Sequence, residues 1–218
     1  MKKLFTEENI IKFYKDGITT VYIDGSELFT PSALDKIRAL KINIVKKNKV
    51  QASGNIENKF KQINFKKIAL GSDHTGFNEK ENLKEFLKAK NIDFIDVGTF
   101  DGQSCDYPDF AFEVAKKVAL NDADGGIILD ATGIPSAITA NKIPGIRAAT
   151  CYNEFSAKSS REHNNSNVIV LGARTLGVDT IKSILEIWLS TEFAGGRHQR
   201  RLNKISKIEQ LFINGKSE

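Results

Sequence analysis

The sequence predicts an α/β protein: a mostly parallel, doubly wound sheet with helices on both faces, preceded by a small α/β module. From residue 66 onward, short runs of Ile, Val and Leu alternate with helical segments, a pattern typical of parallel strands buried on both faces. Residues 46–64, "KKNKVQASGNIENKFKQIN", are polar and without a clear period, as linkers are. We therefore predict a module at 1–45, a linker at 46–64 and a second domain at 65–218.

The module begins with a short helix in "EENIIKFYKD" and a strand in "TTVYID". A second helix follows in "TPSALDKIRAL", where Thr30 stands at the N-cap and Pro31 at the first helical position. A threonine oxygen can accept an orphan N–H of the first turn, and proline has no N–H to leave unpaired there. The strand "INIV" completes the module.

The second domain reads as five strands, "KKIALGSD", "DFIDVG", "GGIILD", "IRAATC" and "VIVLGA". Its helices are expected in "EKENLKEFLKAK", "DFAFEVAKKVAL", "EFSAKSSREHN", "VDTIKSILEIWLS" and "RLNKISKIEQLF". In such sheets ligands bind at the carboxyl ends of strands. That rule selects polar residues after the first three strands: Asp73, His74, Asp106, Tyr107 and the loop that starts at Asp130.

Composition narrows the classes of protein. Apolar runs such as "NVIVLG" are far shorter than the ~20 residues that cross a bilayer, and acidic residues interrupt the N-terminus before a signal-peptide core could form. We expect a cytoplasmic protein without membrane contact. Cys105 and Cys151 lack metal-ligand spacing, so we expect reduced thiols and no metal site. The net charge of +5 is dispersed, which speaks against nucleic-acid binding.

Two stretches can carry chemistry. "GGRHQRR", residues 195–201, holds three arginines; in a helix, Arg197 and Arg201 project from one face and can bind an anion. Arg174 also follows a strand and favours this anion site over a merely solvated basic helix start. The loop "DATGIPS" can turn its amides towards a developing anion, although Pro135 cannot donate. The alternative is a simple strand-to-helix turn capped by Asp or Thr.

Five ordered motifs, "IALGSDHTGF", "DVGTFDGQSCDYPDFAFEVA", "ATGIPSAITANKIPGIRAATC", "SAKSSREHNNSNVIVLGARTLG" and "FAGGRHQRR", resemble the ribose-5-phosphate isomerase B and galactose-6-phosphate isomerase family over about residues 66–210. The resemblance implies a Rossmann-like sheet and a homodimer or tetramer with active sites at the subunit interface. It also implies interconversion of aldose and ketose phosphates through a cis-enediol, without metal or cofactor.

The resemblance also implies residue roles. Asp73 and His163 match the pair that helps open the sugar ring, and Asn164 matches a substrate-contacting amide. Thr132 and Gly133 match the loop that stabilises the enediolate, and Tyr107 lies in a loop that flanks the pocket. The phosphate-binding set is matched by His74, Arg174, Arg197 and Arg201, some of them contributed across the dimer.

Asp130 is where the chain departs from this pattern. Family members with ribose phosphate activity commonly have a cysteine base there, whereas Asp followed by Ala131 resembles the A subunit of galactose-6-phosphate isomerase, which works with a different partner chain. A carboxylate can remove a proton next to a carbonyl. We therefore expect either an isomerase with Asp130 as its base, or a silent or partner-dependent subunit that binds a sugar phosphate.

The N-terminal module has no counterpart in the family core. Its "LFTPSALDKIRALKINIV" is similar to short terminal segments on enzymes associated with bacterial microcompartments. This similarity predicts that residues 1–45 recruit the protein to a shell or to a partner enzyme. The alternative is an extension that packs on the dimer or on the rim of its active site.

Overall fold

The computed structural model describes residues 3–16, 18, 20–23, 27–46 and 64–213. The chain divides into two compact units, residues 1–56 and residues 57–218, and each is described by itself. The domain limits expected above stay predictions, because most of the expected linker lies outside the described residues. None of the helices in these ranges is long and apolar enough to cross a membrane.

The first unit contains β1 (Lys3–Phe5), α1 (Glu7–Lys15), β2 (Thr20–Ile23), β3 (Glu27–Phe29), α2 (Pro31–Ala39) and β4 (Asn43–Lys46). Strand β1 pairs in parallel with β3, and β2 pairs in parallel with β4. The expected cap is confirmed, because the Thr30 side chain accepts the N–H of Ala33 at 3.2 Å. The sequence patterns missed β1 and β3, since three residues are too few to show a period.

The core of this unit draws on both halves of the segment. Ile10 and Val21 come from the first half, and Ala33, Ile37 and Ile42 come from the second. In each half a strand is followed by a helix, and the junction has the same sequence, Leu-Phe-Thr, at residues 4–6 and 28–30. Among the described residues, buried side chains from both halves form one cluster, so the two halves stabilise each other.

Residues 64–213, the described part of the second unit, contain eleven elements. The strands are β5 (Lys67–Ser72), β6 (Asp93–Asp96), β7 (Gly125–Asp130), β8 (Ala148–Thr150) and β9 (Val168–Gly172). The helices are α3 (Phe77–Ala89), α4 (Tyr107–Ala119), α5 (Ile134–Ala140), α6 (Glu154–Glu162), α7 (Val178–Ser190) and α8 (Gly196–Ile213). All five strands are parallel, in the order β6-β5-β7-β9-β8. The predicted Rossmann-like α/β fold is confirmed.

Each face of this sheet has its own core. Ile127 and Leu129 of β7 belong to a cluster that includes Leu83 of α3 and Trp188 of α7. Ile128, between them, belongs to a second cluster with residues of α4 and α5. Because successive strand residues point to opposite faces, uninterrupted apolar runs such as "GGIILD" are what a sheet covered on both sides requires.

The parallel order gives the sheet two chemically different edges. The carboxyl edge carries the loops that follow β5, β6, β7 and β9. Helices α6 and α7 run back from this edge, so their ends and the start of α8 lie at the amino edge, where β9 begins at Val168. A five-residue strand spans roughly 16 Å at ~3.3 Å per residue, and that length separates the two edges.

Candidate active site

Asp73 organises the turn between β5 and α3 at the carboxyl edge. Its N–H donates to the carbonyl oxygen of Leu129 at 3.1 Å, which ties the turn to β7. Its Oδ1 accepts the N–H of Thr75 at 2.8 Å, the hydroxyl of Thr75 at 2.6 Å and the N–H of Gly76 at 3.2 Å. The buried carboxylate therefore holds its own loop through Oδ1.

His74 joins the loop after β5 to the loop after β6. Its Nδ1 lies 3.3 Å from the N–H of Cys105 and 3.9 Å from the Cys105 sulfur. An atom that accepts a backbone N–H carries no proton, so Nε2 is the protonated nitrogen of the neutral ring. Tyr107, the first residue of α4, remains 37% exposed at the same edge. These two side chains lie where the carboxyl-edge rule expected them.

Asp130 closes the loop after β7 from the inside. The residue is 1% exposed. Its Oδ1 accepts the N–H of Thr132 at 2.8 Å and also the N–H of Gly133, while Oδ2 accepts the N–H of Ser136 at 3.0 Å. An ionised carboxylate only accepts hydrogen bonds, so three amide donors suit its charged form. We call Asp130 with these three amides the Asp130 cage.

The cage decides where the loop amides point. Gly133 has φ +80°, a left-handed conformation that glycine adopts without strain. Its N–H and that of Thr132 are directed at the chain's own carboxylate rather than at an external anion. A strand-to-helix turn closed by Asp130 is thus present, and the expected role of Thr132 and Gly133 towards an enediolate stays a prediction.

The loop after β9 packs directly on the cage. Ala173 donates its N–H to the carbonyl oxygen of Asp130 at 2.7 Å, and Arg174 donates its N–H to that of Ala131 at 3.1 Å. The exposed Arg174 side chain therefore starts beside the Asp130 loop. Gly172 makes this approach possible, because a Cβ there would lie 2.7 Å from the backbone carbon and oxygen of Thr132.

Gly172→Ala is expected to lower the free energy of unfolding by about 2 kcal/mol, the usual scale for overpacking a site whose neighbours cannot move aside. Gly177→Ala is the matched control, since its Cβ would meet nothing within 4 Å and its φ of −78° suits alanine. Urea unfolding of both variants measures the difference. Equal stability of the two variants would contradict the tight contact between the loops after β7 and β9.

A second polar group, at the amino edge, is built around two stacked histidines. The ring of His163, at the end of α6, lies parallel to that of His198 in α8, with centroids 4.3 Å apart and an interplanar angle of 6°. Nδ1 of His163 lies 3.2 Å from the hydroxyl of Ser159. Nε of Arg197 donates to Nε2 of His198 at 3.3 Å. The end of α6 and the start of α8 thus form one site.

Desolvation lowers the pKa of His198 below its ordinary value, and the positive charges of His163, Arg197 and Arg201 lower it further. Glu162 acts in the opposite direction. A lowered pKa keeps the His198 ring neutral near pH 7, in agreement with an Nε2 atom that accepts a hydrogen bond. Sequence analysis did not assign His198 a role, although "GGRHQRR" contained it.

Helix α6 also contains a fully buried arginine, Arg161, that the sequence patterns did not single out. Nη1 of Arg161 donates to Oδ1 of Asn165 at 2.8 Å and to the carbonyl oxygen of Ser166 at 2.6 Å. Its guanidinium stacks 4.9 Å from the ring centroid of Phe65 and 5.7 Å from that of Trp188. Trp188 in turn donates its indole N–H to the Ser166 hydroxyl at 2.8 Å. This cluster fixes the segment that follows His163.

Burial lowers the pKa of Arg161 to about 10, with a further contribution from the charge of Arg147. The guanidinium therefore stays cationic at neutral pH. Stacked aromatic rings provide part of the stabilisation that a carboxylate would otherwise supply. Asn164, exposed on the same segment, uses its main-chain oxygen to accept from Nε of Arg147 at 3.2 Å.

The structure thus divides the residues that the sequence singled out into two groups. The carboxyl edge holds Asp73, His74, Tyr107, Asp130, Thr132, Gly133 and Arg174. The amino edge holds His163, Asn164, Arg197 and Arg201. Within one chain the sheet separates the two groups. Over the described ranges, no three His, Cys, Asp or Glu side chains are grouped so that they could hold a metal ion.

The second unit is thus a doubly wound parallel sheet with carboxylates at one edge and a histidine–arginine group at the other. Residues 68–205 match the family model described as Ribose/Galactose Isomerase. The chain belongs to this isomerase family. The matched residues all lie in the second unit.

Individual relatives agree with the family match. A putative sugar phosphate isomerase of Bacillus subtilis is 46% identical over 145 residues, which cover 66% of this chain and 97% of the relative. Ribose-5-phosphate isomerase B of Escherichia coli is 43% identical over 146 residues, covering 67% of this chain and 98% of the relative. Each similarity spans nearly the whole length of the relative.

Solved structures agree as well. The ribose-5-phosphate isomerase B of Clostridium thermocellum superposes with a TM-score of 0.66 at 46% identity, covering 67% of this chain and 99% of that one. The Mycoplasma genitalium enzyme, solved with bound ribulose-5-phosphate, gives a TM-score of 0.64 at 40% identity and covers 66% of this chain and 96% of that one.

Proposed function

We propose that the chain interconverts an aldose phosphate and a ketose phosphate of the ribose-5-phosphate type through a cis-enediol, without a metal, and that Asp130 is the base. In this reaction the Asp130 carboxylate removes the proton from C2, the C–H electron pair forms the C1–C2 double bond, and the carbonyl electron pair moves to O1. A proton then passes from the O2 hydroxyl to O1, the C2 carbonyl forms, and the protonated Asp130 returns its proton to C1. The observation that supports this role is the position of the carboxylate, at the carboxyl end of β7, the central strand of the sheet.

The other residues take the roles that the family resemblance implies. We propose that Asp73 and His163 open the sugar ring and that Asn164 contacts the open chain. Thr132 and Gly133 lie on the enediolate side, and Tyr107 flanks the pocket. His74 and the arginines Arg174, Arg197 and Arg201 bind the phosphate, because guanidinium groups form bidentate hydrogen bonds to phosphate oxygens.

The cage also favours a second candidate function. A carboxylate that is 1% exposed and already accepts three amide hydrogen bonds is hard for a substrate to reach. The amides of Thr132 and Gly133, spent on Asp130, are then missing from the transition state, where one lost donor costs about 3 kcal/mol. In this alternative the chain binds a sugar phosphate but is silent, or depends on a partner chain.

We propose that the working unit is a homodimer, or a tetramer built from such dimers, with sites shared between chains. The separation of the two residue groups on opposite edges of one sheet supports this proposal. So does apolar surface: Phe155 is 80% exposed, and α8 exposes Ile205, Ile208 and Phe212. An open cavity of about 750 Å³ lies between α8 and the segment around Pro144. A second copy of the chain would cover such surface.

Proton exchange separates the two candidate functions. The purified protein is incubated in D2O with ribose 5-phosphate, allose 6-phosphate and galactose 6-phosphate in turn, and NMR follows deuterium at C2 and the appearance of ketose. Exchange with any sugar supports the isomerase and identifies its substrate. Binding of a sugar phosphate without exchange would contradict the isomerase and favour the partner-dependent subunit.

For the N-terminal module we propose recruitment to a bacterial microcompartment shell or to a partner enzyme through residues 1–45. The separate core of the first unit supports an independent role. A chain lacking residues 1–64 is expected to keep its turnover and its melting temperature within about 2 °C, because no residue of the second core is lost, and to lose co-purification with shell proteins. A dissociated or inactive core would instead favour an extension that supports the dimer.

A further inference from the structure

The stacked pair at the amino edge contains a residue with no assigned role. We propose that His198 is a positioning residue: its neutral imidazole stacks on His163 and holds that ring in the plane in which it acts on the cyclic sugar. This inference rests on the proposed function, in which His163 helps to open the sugar ring. It assigns His198 no contact with the substrate.

The first step is the protonation state of His198. Nε of Arg197 can only donate, so the Nε2 atom that it contacts at 3.3 Å must offer a lone pair. The proton of the neutral ring is then on Nδ1. The groups around this ring agree: His163 and Glu162 face it from α6, and Arg197 and Arg201 face it from its own helix. Three of these four carry or can acquire positive charge, which opposes a further proton on His198.

The second step is what holds His163. Its Nδ1 contacts the Ser159 hydroxyl at 3.2 Å. A hydroxyl can donate or accept by rotating, so Ser159 keeps its contact whether or not Nδ1 carries a proton. Ser159 therefore permits a change of protonation but does not fix the plane of the ring. The parallel stack on His198, with 6° between the planes, supplies that restraint.

The third step is why the stacking partner must stay neutral. A His163 ring that takes and gives a proton is cationic for part of the cycle. A second cation at a centroid separation of 4.3 Å would repel it and separate the rings. A neutral imidazole, with its lone pair held by Arg197, stacks on either form. The loop before α8 is also tied to α6, since Ala194 donates its N–H to the carbonyl oxygen of Glu162 at 3.0 Å.

A pair of substrates isolates ring opening from proton transfer. Ribose 5-phosphate is mostly cyclic and must open. Ribulose 5-phosphate is always open, because the oxygen that could close a five-membered ring carries the phosphate. Exchange of its C1 proton with D2O therefore reports proton transfer alone. We expect His198→Ala to slow ribose 5-phosphate conversion at least about 10-fold, within the range of general acid–base effects, and to slow ribulose 5-phosphate exchange less than about 3-fold.

Two variants serve as controls in this comparison. His198→Phe keeps a stacking ring, so ribose 5-phosphate conversion should stay within about 3-fold of wild type. Arg200→Ala removes an exposed charge from the same helix and should leave both rates unchanged. If His198→Ala slows both reactions equally, or neither, the positioning role is wrong. A wild-type protein without any exchange would contradict the proposed function instead, and the next measurement would then decide on His198.

That measurement does not depend on turnover. The chain has three histidines, so long-range 1H–15N spectra of the full-length protein resolve each ring. We expect His198 to be neutral at pH 7 with its proton on Nδ1. His163 should carry a ring-current shift that His198→Phe retains and His198→Ala removes. The proposal would be overturned by a cationic His198 at pH 7. It would also be overturned by His163 ring shifts that are the same in wild type, His198→Phe and His198→Ala.

Discussion

Asp130→Asn is expected to reduce turnover by at least ~10³-fold, within the range for removing a general base, while binding of a phosphate ester stays close to that of wild type. An amide cannot take the C2 proton, and its NH2 group would face one of the three N–H donors of the cage. Stopped-time assays of ketose formation, paired with ligand titration, measure the two effects separately. An active asparagine variant would remove Asp130 from the role of base.

Asp124→Asn is the matched control for this experiment. The Asp124 carboxylate also accepts two backbone amides, from Lys66 at 2.9 Å and from Lys67 at 2.8 Å, but it does so at the start of β7. Both variants lose a charged acceptor of backbone N–H groups; buried Asp130→Asn should be destabilised by about 1–2 kcal/mol and exposed Asp124→Asn by less. Only Asp130→Asn should lose turnover. A similar loss in both would show that turnover follows stability rather than chemistry.

Asp130→Cys tests the partner-dependent alternative. A thiol is a weak acceptor, so the N–H groups of Thr132 and Gly133 would be released from the cage and become available to a substrate oxygen. If the native chain is silent because its carboxylate is caged, this variant should gain exchange at C2, since it releases these donors and places a cysteine, the common base of the family, at the same position. If the native chain is already active through Asp130, exchange should not rise from an undetectable level, because wild type itself exchanges.

Mixing two inactive variants is the second prediction with a large expected effect. Asp130 lies at the carboxyl edge and His163 at the amino edge, so a shared site takes one residue from each chain of a dimer. Refolding Asp130→Asn together with His163→Asn should restore about a quarter of wild-type activity, because half of the dimers are mixed and each has one intact site. The assay is ketose formation before and after joint refolding.

A control mixture makes this result specific. Asp73→Asn and Asp130→Asn both change the carboxyl edge, so in a mixed dimer each site lacks one of the two carboxylates and no recovery is expected. Recovery in this second mixture, or none in the first, would contradict sites shared between opposite edges. A different affinity tag on each variant, with sequential purification over both tags, confirms that mixed dimers have formed.

The sequence predicted the sheet and one edge of the site for a physical reason. Strands and helices alternate along the chain, and the carboxyl ends of parallel strands all lie at one edge of the sheet. The sequence alone therefore placed four residues at that edge: Asp73, His74, Tyr107 and Asp130. The cage could not be foreseen, because it depends on how Gly133 turns the chain back onto a side chain. The partnership of His163 and His198, 35 positions apart, is likewise set by helix packing.

Arg161 was missed for a similar reason. An arginine in a charged helix reads as a surface residue, and nothing local shows that Phe65 and Trp188 will bury it. The start of α8 was also placed too late: the helix begins at Gly196, ahead of the expected "RLNKISKIEQLF". A glycine pair normally marks a break. Here the helix begins at the second glycine of the pair, so all three arginines of "GGRHQRR" lie inside it.

The stack of Phe65, Arg161 and Trp188 provides an intrinsic optical probe. Trp188 is the only tryptophan of the chain, it is fully buried, and its indole N–H is bonded to Ser166. Fluorescence excited at the red edge of the protein absorption band, where tryptophan absorbs and tyrosine does not, therefore comes from the second unit alone. It reports on the segment that carries His163 and Asn164. Unfolding of the N-terminal unit is silent in this signal, so fluorescence and far-ultraviolet circular dichroism recorded together should resolve the melting of the two units.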